Sequence, residues 1–225
     1  MKVPIIEPIR NIICLGKNYA DHAKEVAENG LQETDEILPA FPIFFSKSAN
    51  PPIGDGDAIP VSDSISKQID YEVELAVIIG KTAKNIEEKN AIDYIRGYTI
   101  LNDVTARDLQ TKYGQWYYSK SLDGFCPIGP RIVPKEEIEN PENLDIYCKV
   151  NGELRQNSNT KNMIFGINRI ISELSRGMTL FPGDIIATGT PAGIGHAMNP
   201  PVYLKKGDIV ECGIEKIGVL KNICE

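Results

Sequence analysis

The segment 70–80, DYEVELAVIIG, constrains the fold of this chain more than any other part of the sequence. Successive side chains of a β-strand point to opposite faces, so Glu72 and Glu74 share one face while Tyr71, Val73 and Leu75 share the other. An apolar run follows the two glutamates directly. The segment therefore predicts a strand over 71–79 that brings two acidic side chains to the border of the hydrophobic core.

The remaining patterns predict an α+β fold that is rich in strands. Asn151-Gly152 stands between two strand-like segments and predicts a tight hairpin turn. The regular strand–helix alternation of a doubly wound sheet is missing, so we expect a mixed, β-rich architecture. Helices are predicted over 19–28, with a stop at 29–30, and over 163–176, ending at Gly177, with a polar helix-like stretch over 85–95. Further strands are predicted over 11–15, 43–45, 97–101, 148–150, 185–188, 209–214 and 218–223.

Length and charge exclude several classes of protein. A chain of 225 residues can bury an ample core, and we expect a single catalytic domain over 1–225, entered through a short segment at 1–10. The net charge of −7 argues against nucleic acid or an anionic membrane as a partner. The five scattered cysteines suggest neither a zinc site nor a disulfide framework, and no signal peptide or membrane span is recognisable. These features predict a cytoplasmic protein.

Three carboxylates form a candidate metal site. Asp103 follows the predicted strand 97–101, where it can join Glu72 and Glu74. Neighbouring carboxylates stay ionised beside a cation, and ligands that are all oxygens suit Mg²⁺, Mn²⁺ or Ca²⁺. The alternatives remain open from these residues alone: a solvated strand face for the two glutamates, and a helix cap for Asp103.

Other candidate residues lie outside this trio. His22 and Glu25 share one face of the predicted first helix, so the carboxylate could orient the imidazole as a general base, although such pairs are commonly surface contacts. Lys120 and Arg107 are candidate cations for a substrate carboxylate or a developing enolate. The glycine-rich segment 188–195 could hold an anionic group through its amides and the Thr190 hydroxyl, or could be only a tight turn.

Taken together, six ordered motifs resemble the fumarylacetoacetate hydrolase family, particularly its short acylpyruvate hydrolase, oxaloacetate decarboxylase and 5-carboxymethyl-2-hydroxymuconate isomerase members. The resemblance runs over nearly the whole chain, and the main departures are Lys17 before Asn18 and Leu122 after Lys120-Ser121. The matching segments are NYADHAKE at 18–25, DYEVEL at 70–75, NDVTARD at 102–108, KSLDGFCPIGP at 120–130, NGELRQ at 151–156 and TGTPAG at 188–193.

The resemblance implies a fold, a cofactor and roles for residues. The fold would have layered mixed sheets around a barrel-like core, as in the C-terminal domain of the family, usually assembled as a homodimer. The metal would be Mg²⁺ or Mn²⁺. The implied roles are metal ligands for Glu72, Glu74 and Asp103, catalysis for His22, Glu25 and Lys120, and substrate contacts for Arg107, Gln110 and Thr190.

The implied activity is metal-dependent carbon–carbon hydrolysis of small 2,4-diketo acids of the acylpyruvate or fumarylpyruvate type. Oxaloacetate decarboxylation and hydroxymuconate-type isomerisation are alternatives, because all three reactions pass through an enolate of a 2-keto acid that the same site would stabilise. A different class of protein, a metal-stabilised metabolite-binding protein without catalysis, is the remaining alternative. It predicts a closed coordination shell and no effect of changing His22.

Overall fold

The computed structural model describes residues 9–28, 37–48 and 51–225. In this part the chain forms two main sheets and four short α-helices, with 3₁₀ turns at Glu88–Tyr94, Lys135–Glu137, Thr160–Asn162 and Gly195–Ala197. The helices are α1 (Ala20–Glu28), α2 (Arg107–Tyr113), α3 (Trp116–Lys120) and α4 (Ile167–Gly177). The strands are β1 (Ile12–Gly16), β2 (Ile43–Lys47), β3 (Ala58–Ile59), β4 (Ile69–Asp70), β5 (Val73–Ile79), β6 (Ile95–Asn102), β7 (Thr105–Ala106), β8 (Ile128–Pro134), β9 (Asp145–Val150), β10 (Glu153–Asn159), β11 (Ile185–Ala187), β12 (Ile209–Ile214) and β13 (Gly218–Cys224).

The larger sheet has six strands in the order β2-β1-β11-β5-β6-β8, and the smaller has five in the order β10-β9-β12-β13-β3. β4 and β7 form a separate two-stranded pair. The α+β, strand-rich prediction is confirmed. The layered arrangement is confirmed as well, but the described strands do not close into a barrel, so the core lies between open sheets.

β5 is central to this arrangement because both of its faces are buried. Val73, Leu75 and Val77 belong to the main core, which also includes residues of the smaller sheet. Ala76 and Ile78 belong to a second cluster on the opposite face. Alternation along the strand places Glu74 on this second face, as the sequence predicted, because a strand of period two cannot turn both sets of side chains to the same side.

Several predicted elements are confirmed with small changes of boundary. The hairpin forms at Asn151-Gly152, where both residues have positive φ, 53° and 79°, as a type I′ turn requires. The predicted helix at 163–176 begins only at Ile167, because Asn18 binds the backbone of the preceding residues: its carbonyl accepts from the Ile164 amide and its Oδ1 from the Phe165 amide. The stretch 85–95 is a 3₁₀ turn over Glu88–Tyr94 rather than an α-helix.

Two predictions fall on residues outside the described part: the helix stop at 29–30 and most of the N-terminal segment 1–10. No helix in the described ranges has the length and apolar character needed to cross a bilayer.

Candidate functional site

The three predicted metal ligands meet at one end of β5 and β6. These strands pair antiparallel with Val73 opposite Asn102, so Glu72, just before β5, lies beside Asp103, just after β6. The Asp103 amide donates to the Glu72 carbonyl at 2.8 Å. Carboxylate oxygens of Glu72, Glu74 and Asp103 lie within 4.8 Å of one another, and all three residues are buried. The antiparallel register therefore converts two distant segments into one acidic cluster.

Lys120, the last residue of α3, inserts its buried ammonium group into this cluster. Its Nζ lies 2.8 Å from Glu72 Oε2, 2.6 Å from Asp103 Oδ2 and 2.8 Å from Thr105 Oγ1. Burial alone disfavours the charged amine, but the carboxylates of Asp103 and Glu72 outweigh burial and raise the pKa of Lys120 above its ordinary value. Lys120 is therefore a charged hydrogen-bond donor at neutral pH.

A second buried lysine, Lys47 at the end of β2, also contacts the cluster. Its Nζ lies 2.7 Å from Asp103 Oδ1 and donates to the Val104 carbonyl at 3.3 Å and to the Lys120 carbonyl. Asp103 is thus an ion-pair partner of two lysines and does not cap a helix, since α2 begins later, at Arg107. Lys47 was not among the predicted site residues.

Arg107 connects the cluster to a further carboxylate. Its guanidinium lies 2.5 Å from Glu72 Oε1 and donates to Asp70 Oδ2 through Nε and Nη2, at 3.0 and 2.9 Å. Nη1 donates to Gln110 Oε1 at 3.1 Å. Both of its charged partners are buried, so Arg107 is fixed in position by two carboxylates.

The two glutamates have opposite electrostatic environments. Burial disfavours ionisation of Glu72, but Lys120 and Arg107 outweigh it and hold the pKa of Glu72 well below its ordinary value. Burial, together with the negative charges of Asp103 and Glu72, raises the pKa of Glu74 well above its ordinary value. Within the described residues Glu74 has no ion-pair partner, and its Oε2 accepts a hydrogen bond from the Gly189 amide at 2.8 Å.

This donor set fits a hard divalent cation. Its three ligands are carboxylates, the ligand type that Mg²⁺ and Mn²⁺ prefer, and a three-ligand set leaves positions for water or substrate. One of the three, Glu74, is a buried acid whose charge no side chain of the described chain neutralises. A cation beside Glu74 would supply the missing positive charge.

The predicted His22 and Glu25 pair forms on α1. His22 Nδ1 lies 3.3 Å from Glu25 Oε2. The other carboxylate oxygen of Glu25 accepts a hydrogen bond from the Gly193 amide at 2.8 Å. Glu25 is therefore held by the backbone while it orients the imidazole, which distinguishes the pair from an ordinary contact on a helix surface.

The glycine-rich segment 188–195 binds anionic groups, but these are carboxylates of the protein itself. Gln156 packs against the same segment and donates from Nε2 to Thr190 Oγ1 at 2.8 Å and to the Pro191 carbonyl at 2.7 Å. Three backbone amides of the segment donate hydrogen bonds of 2.8 Å to these carboxylates: Gly189 to Glu74, Gly193 to Glu25 and Gly195 to Asp70.

These elements surround one cavity of about 330 Å³. All of the predicted site residues line it except Glu25 and Asp103, which contact the lining residues His22 and Lys120. The sequence reasoning missed His196, which also lines the cavity, and Asp70, which holds both Arg107 and the amides of Gly195 and His196. The available signals were that the chain has only two histidines and that Asp70 shares the alternation of Glu72 and Glu74.

The chain is similar to known proteins over nearly its whole length. The family model described as fumarylacetoacetate (FAA) hydrolase C-terminal matches residues 11–224. The oxaloacetate tautomerase YisK of Bacillus subtilis is 47% identical over 222 residues, covering 99% of this chain and 72% of that protein.

Two solved structures are also similar. A fumarylacetoacetate hydrolase from the psychrophile Exiguobacterium antarcticum superposes with a TM-score of 0.88 at 47% identity, covering 99% of this chain and 77% of that one. Fumarylpyruvate hydrolase from Pseudomonas aeruginosa, in complex with Mn²⁺ and pyruvate, superposes with a TM-score of 0.83 at 31% identity, covering 96% and 90%.

Proposed function

This chain belongs to the fumarylacetoacetate hydrolase family, and on that premise we propose that it is a divalent-metal-dependent enzyme that interconverts the keto and enol forms of oxaloacetate or a closely related 2-keto dicarboxylate. The family members are enzymes, among them tautomerases and hydrolases of small keto acids. The choice among their reactions is the part we propose.

One observation carries the proposal: Glu72, Glu74, His22 and Lys120 all line the same cavity. Its volume of about 330 Å³ lies at the small end of the range of roughly 300–1,000 Å³ for ligand pockets, which suits a short acid. Acidic ligands, a proton carrier and a fixed cation are the groups that enolisation of a 2-keto acid requires.

We assign the metal to Glu72, Glu74 and Asp103. A bound Mg²⁺ or Mn²⁺ would supply a Lewis acid that polarises the 2-keto group of the substrate. The Mn²⁺ complex of the Pseudomonas aeruginosa relative supports a metal of this type.

The chain's own residues would move the proton and stabilise the charge. His22 lines the cavity, and its Nδ1 faces Glu25, so Nε2 is the nitrogen left to take a proton from carbon 3 and return it. Glu25, held by the Gly193 amide, would stabilise the imidazolium during transfer. Lys120, whose Nζ is a buried donor, would balance negative charge that develops on the enolate oxygen.

Tautomerisation is the first choice because YisK, which this chain matches over 99% of its length, carries that activity in its name. It needs only proton transfer, with no bond between carbons broken. Carbon–carbon hydrolysis of a 2,4-diketo acid, the first choice from the sequence, is the second candidate. The backbone-held pair of His22 and Glu25 favours it, since such a pair could also direct a water at a carbonyl carbon.

The test follows three reactions with purified protein and Mn²⁺, each with and without chelator. Loss of enol absorbance reports tautomerisation of oxaloacetate, pyruvate release reports its decarboxylation, and loss of ultraviolet absorbance reports hydrolysis of acetylpyruvate. We expect tautomerisation to be fastest and to stop with chelator. Turnover that survives the chelator would overturn the metal mechanism.

Two variants sharpen this experiment. Glu74→Ala should lower the metal-dependent rate by about 100-fold or more, since loss of even an outer-shell partner of a metal ligand costs roughly 10–100-fold. Glu87→Gln, in an exposed ion pair, should keep the wild-type rate. His22→Asn should reduce tautomerisation and hydrolysis together. Binding of oxaloacetate with no turnover in any assay would favour the non-catalytic, metabolite-binding alternative.

We also propose that the enzyme is a cytoplasmic homodimer that binds neither nucleic acid nor membrane. The dimer rests on the family resemblance, and the exclusions rest on the net charge of −7. Light scattering of the purified protein at several concentrations measures the assembly, and a monomeric mass throughout would contradict it.

A further inference from the structure

Three side chains of the cavity wall that carry or can carry a positive charge are not used by the proposed chemistry, namely Lys17, Arg107 and His196, and only the ring of His196 is oriented by a neighbouring side chain without being paired to a carboxylate in the described part of the chain. The positive groups of Arg107 and Lys120 are each paired with two carboxylates, and the ring of His22 faces Glu25. His196 lines the same cavity, yet in the described part of the chain no carboxylate bonds to its ring. A free donor in the wall of a small cavity is placed to contact the ligand.

The ring of His196 is held in a defined orientation by Tyr203. Nδ1 lies 2.8 Å from the Tyr203 hydroxyl, and the two ring centroids are 5.9 Å apart. Tyr203 does not line this cavity, and it engages His196 through Nδ1, so Nε2 is the ring nitrogen left for a ligand. With the hydroxyl donating to Nδ1, the neutral imidazole carries its proton on Nε2 and presents a hydrogen-bond donor.

Asp70 binds both the backbone of His196 and the side chain of Arg107. One oxygen of this buried carboxylate accepts from the His196 amide at 3.0 Å and from Arg107 Nε at 3.0 Å, and the other accepts from the Gly195 amide at 2.8 Å. The backbone of His196 and the side chain of Arg107 are therefore held by the same buried carboxylate. Burial and the positive charge of Arg107 lower the pKa of His196, which agrees with their proximity.

The two histidines of the cavity have different hydrogen-bond partners, and this difference assigns them different roles. His22 faces a carboxylate, which raises the basicity of an imidazole and suits proton abstraction. His196 faces a phenol, which sets a tautomer without adding a compensating negative charge, and this suits binding of an anion.

We propose that His196, oriented by Tyr203 and Asp70, binds the distal carboxylate of the substrate and so makes the enzyme select 2-keto dicarboxylates over 2-keto monocarboxylates. This inference rests on the proposed function, because the other end of the substrate is taken to lie at the acidic cluster. His196 is then a specificity-determining residue and Tyr203 a positioning residue.

The test compares oxaloacetate with 2-oxobutyrate, which lacks the distal carboxylate. Exchange of the carbon 3 protons in D₂O, followed by NMR with diamagnetic Mg²⁺ present, gives KM and kcat for both acids. His196→Phe should raise KM for oxaloacetate by about tenfold or more, the effect of losing a hydrogen bond to a charged group, with kcat changed less than about twofold. The constants for 2-oxobutyrate should not change.

Two further variants distinguish loss of the His196 hydrogen-bond donor from non-specific disruption of the cavity. His196→Gln keeps a hydrogen-bond donor and should recover part of the oxaloacetate KM. Tyr203→Phe keeps the ring but frees Nδ1, and should raise the same KM by a smaller factor. Equal changes for both acids, a fall in kcat alone, or no change in KM would each overturn the assignment.

Failure of the proposed function is distinguishable from failure of this inference. If the wild-type protein exchanges neither acid, binding is measured instead, as the shift in thermal unfolding that each acid causes with Mn²⁺ present. The wild type should then bind oxaloacetate more tightly than 2-oxobutyrate, and His196→Phe should remove that preference. A wild type that binds both acids equally, or neither, contradicts the inference.

Discussion

The backbone amide of Gly193 donates a 2.8 Å hydrogen bond to Glu25, although the two residues lie far apart in the sequence. Gly193 has φ +103°, and a Cβ at this position would lie 2.0 Å from the Arg155 carbonyl oxygen. Its own carbonyl accepts from the Tyr71 hydroxyl at 3.0 Å. The general-base pair is therefore supported by a backbone site that only glycine fits.

Gly193→Ala should displace this backbone, release Glu25 and lower both activity and stability. We expect a loss of about 1–3 kcal/mol in the free energy of unfolding, with a fall in kcat of at least about tenfold. The matched control is Gly152→Ala, which has φ +79° but open space around a Cβ, and should cost about 1 kcal/mol without changing kcat. Thermal unfolding and steady-state kinetics measure both, and equal effects of the two substitutions would contradict the steric argument.

In the metal-free protein, replacement of Glu72 by glutamine should lower the free energy of unfolding, and replacement of Glu74 by glutamine should raise it. Folding raises the pKa of Glu74, so the stability that this group contributes is present below its ordinary pKa and is lost as the pH rises from there towards the raised pKa. Glu74→Gln should therefore be more stable than the wild type by about 1–3 kcal/mol at neutral pH. The pKa of Glu72 is lowered by folding, so its contribution is present above its ordinary value and lost as pH falls. Glu72→Gln should therefore destabilise by about 3–5 kcal/mol at neutral pH, with a smaller difference near pH 4.

Denaturant unfolding between pH 4 and 8 in the presence of chelator measures the free energy of unfolding of both variants and of the wild type. Added Mn²⁺ should stabilise the wild type and have little effect on Glu74→Gln, because binding to the folded state alone shifts unfolding by mass action. Glu74→Gln less stable than the wild type without metal would show that the acidic cluster tolerates its charge unaided.

Lys47→Met should destabilise the protein although Lys47 does not line the cavity. The substitution leaves the buried Asp103 carboxylate with one ammonium instead of two, at a cost of about 3–5 kcal/mol. Lys89→Met is the control, because Lys89 pairs with Glu87 at the surface, where ion pairs contribute little. Chemical denaturation compares the two, and a Lys47→Met protein as stable as the control would rule out a structural role for this ion pair.

All five cysteines should resist thiol reagents in the native protein. They are free and buried, and burial raises the pKa of the Cys126 thiol to about 12, so its reactive thiolate is scarce at neutral pH. A colorimetric disulfide reagent should find no thiol in the folded protein and five in denaturant. Rapid reaction of one thiol before unfolding would mean that this part of the core opens readily.

Sequence patterns predicted the individual strands and helices because the spacing of apolar residues depends on which side chains are buried. The alternation of segment 70–80 correctly placed Glu74 opposite Val73 and Leu75, and Asn151-Gly152 correctly placed the hairpin. The spacing at 163–176 predicted a helix that begins too early, since periodicity contains no information about the distant Asn18 that binds residues 164 and 165.

The sequence by itself determined the fold class, the acidic trio, the pair on the first helix and Lys120, largely through segments whose residue types recur together in one family. Only the tertiary structure decided that Lys47 joins Asp103, that the glycine amides hold the protein's own carboxylates, and that His196 enters the cavity. The physical reason is that a buried charge is stable only beside its partner. Strand register and loop paths between distant segments choose that partner, and no local pattern of residues encodes them.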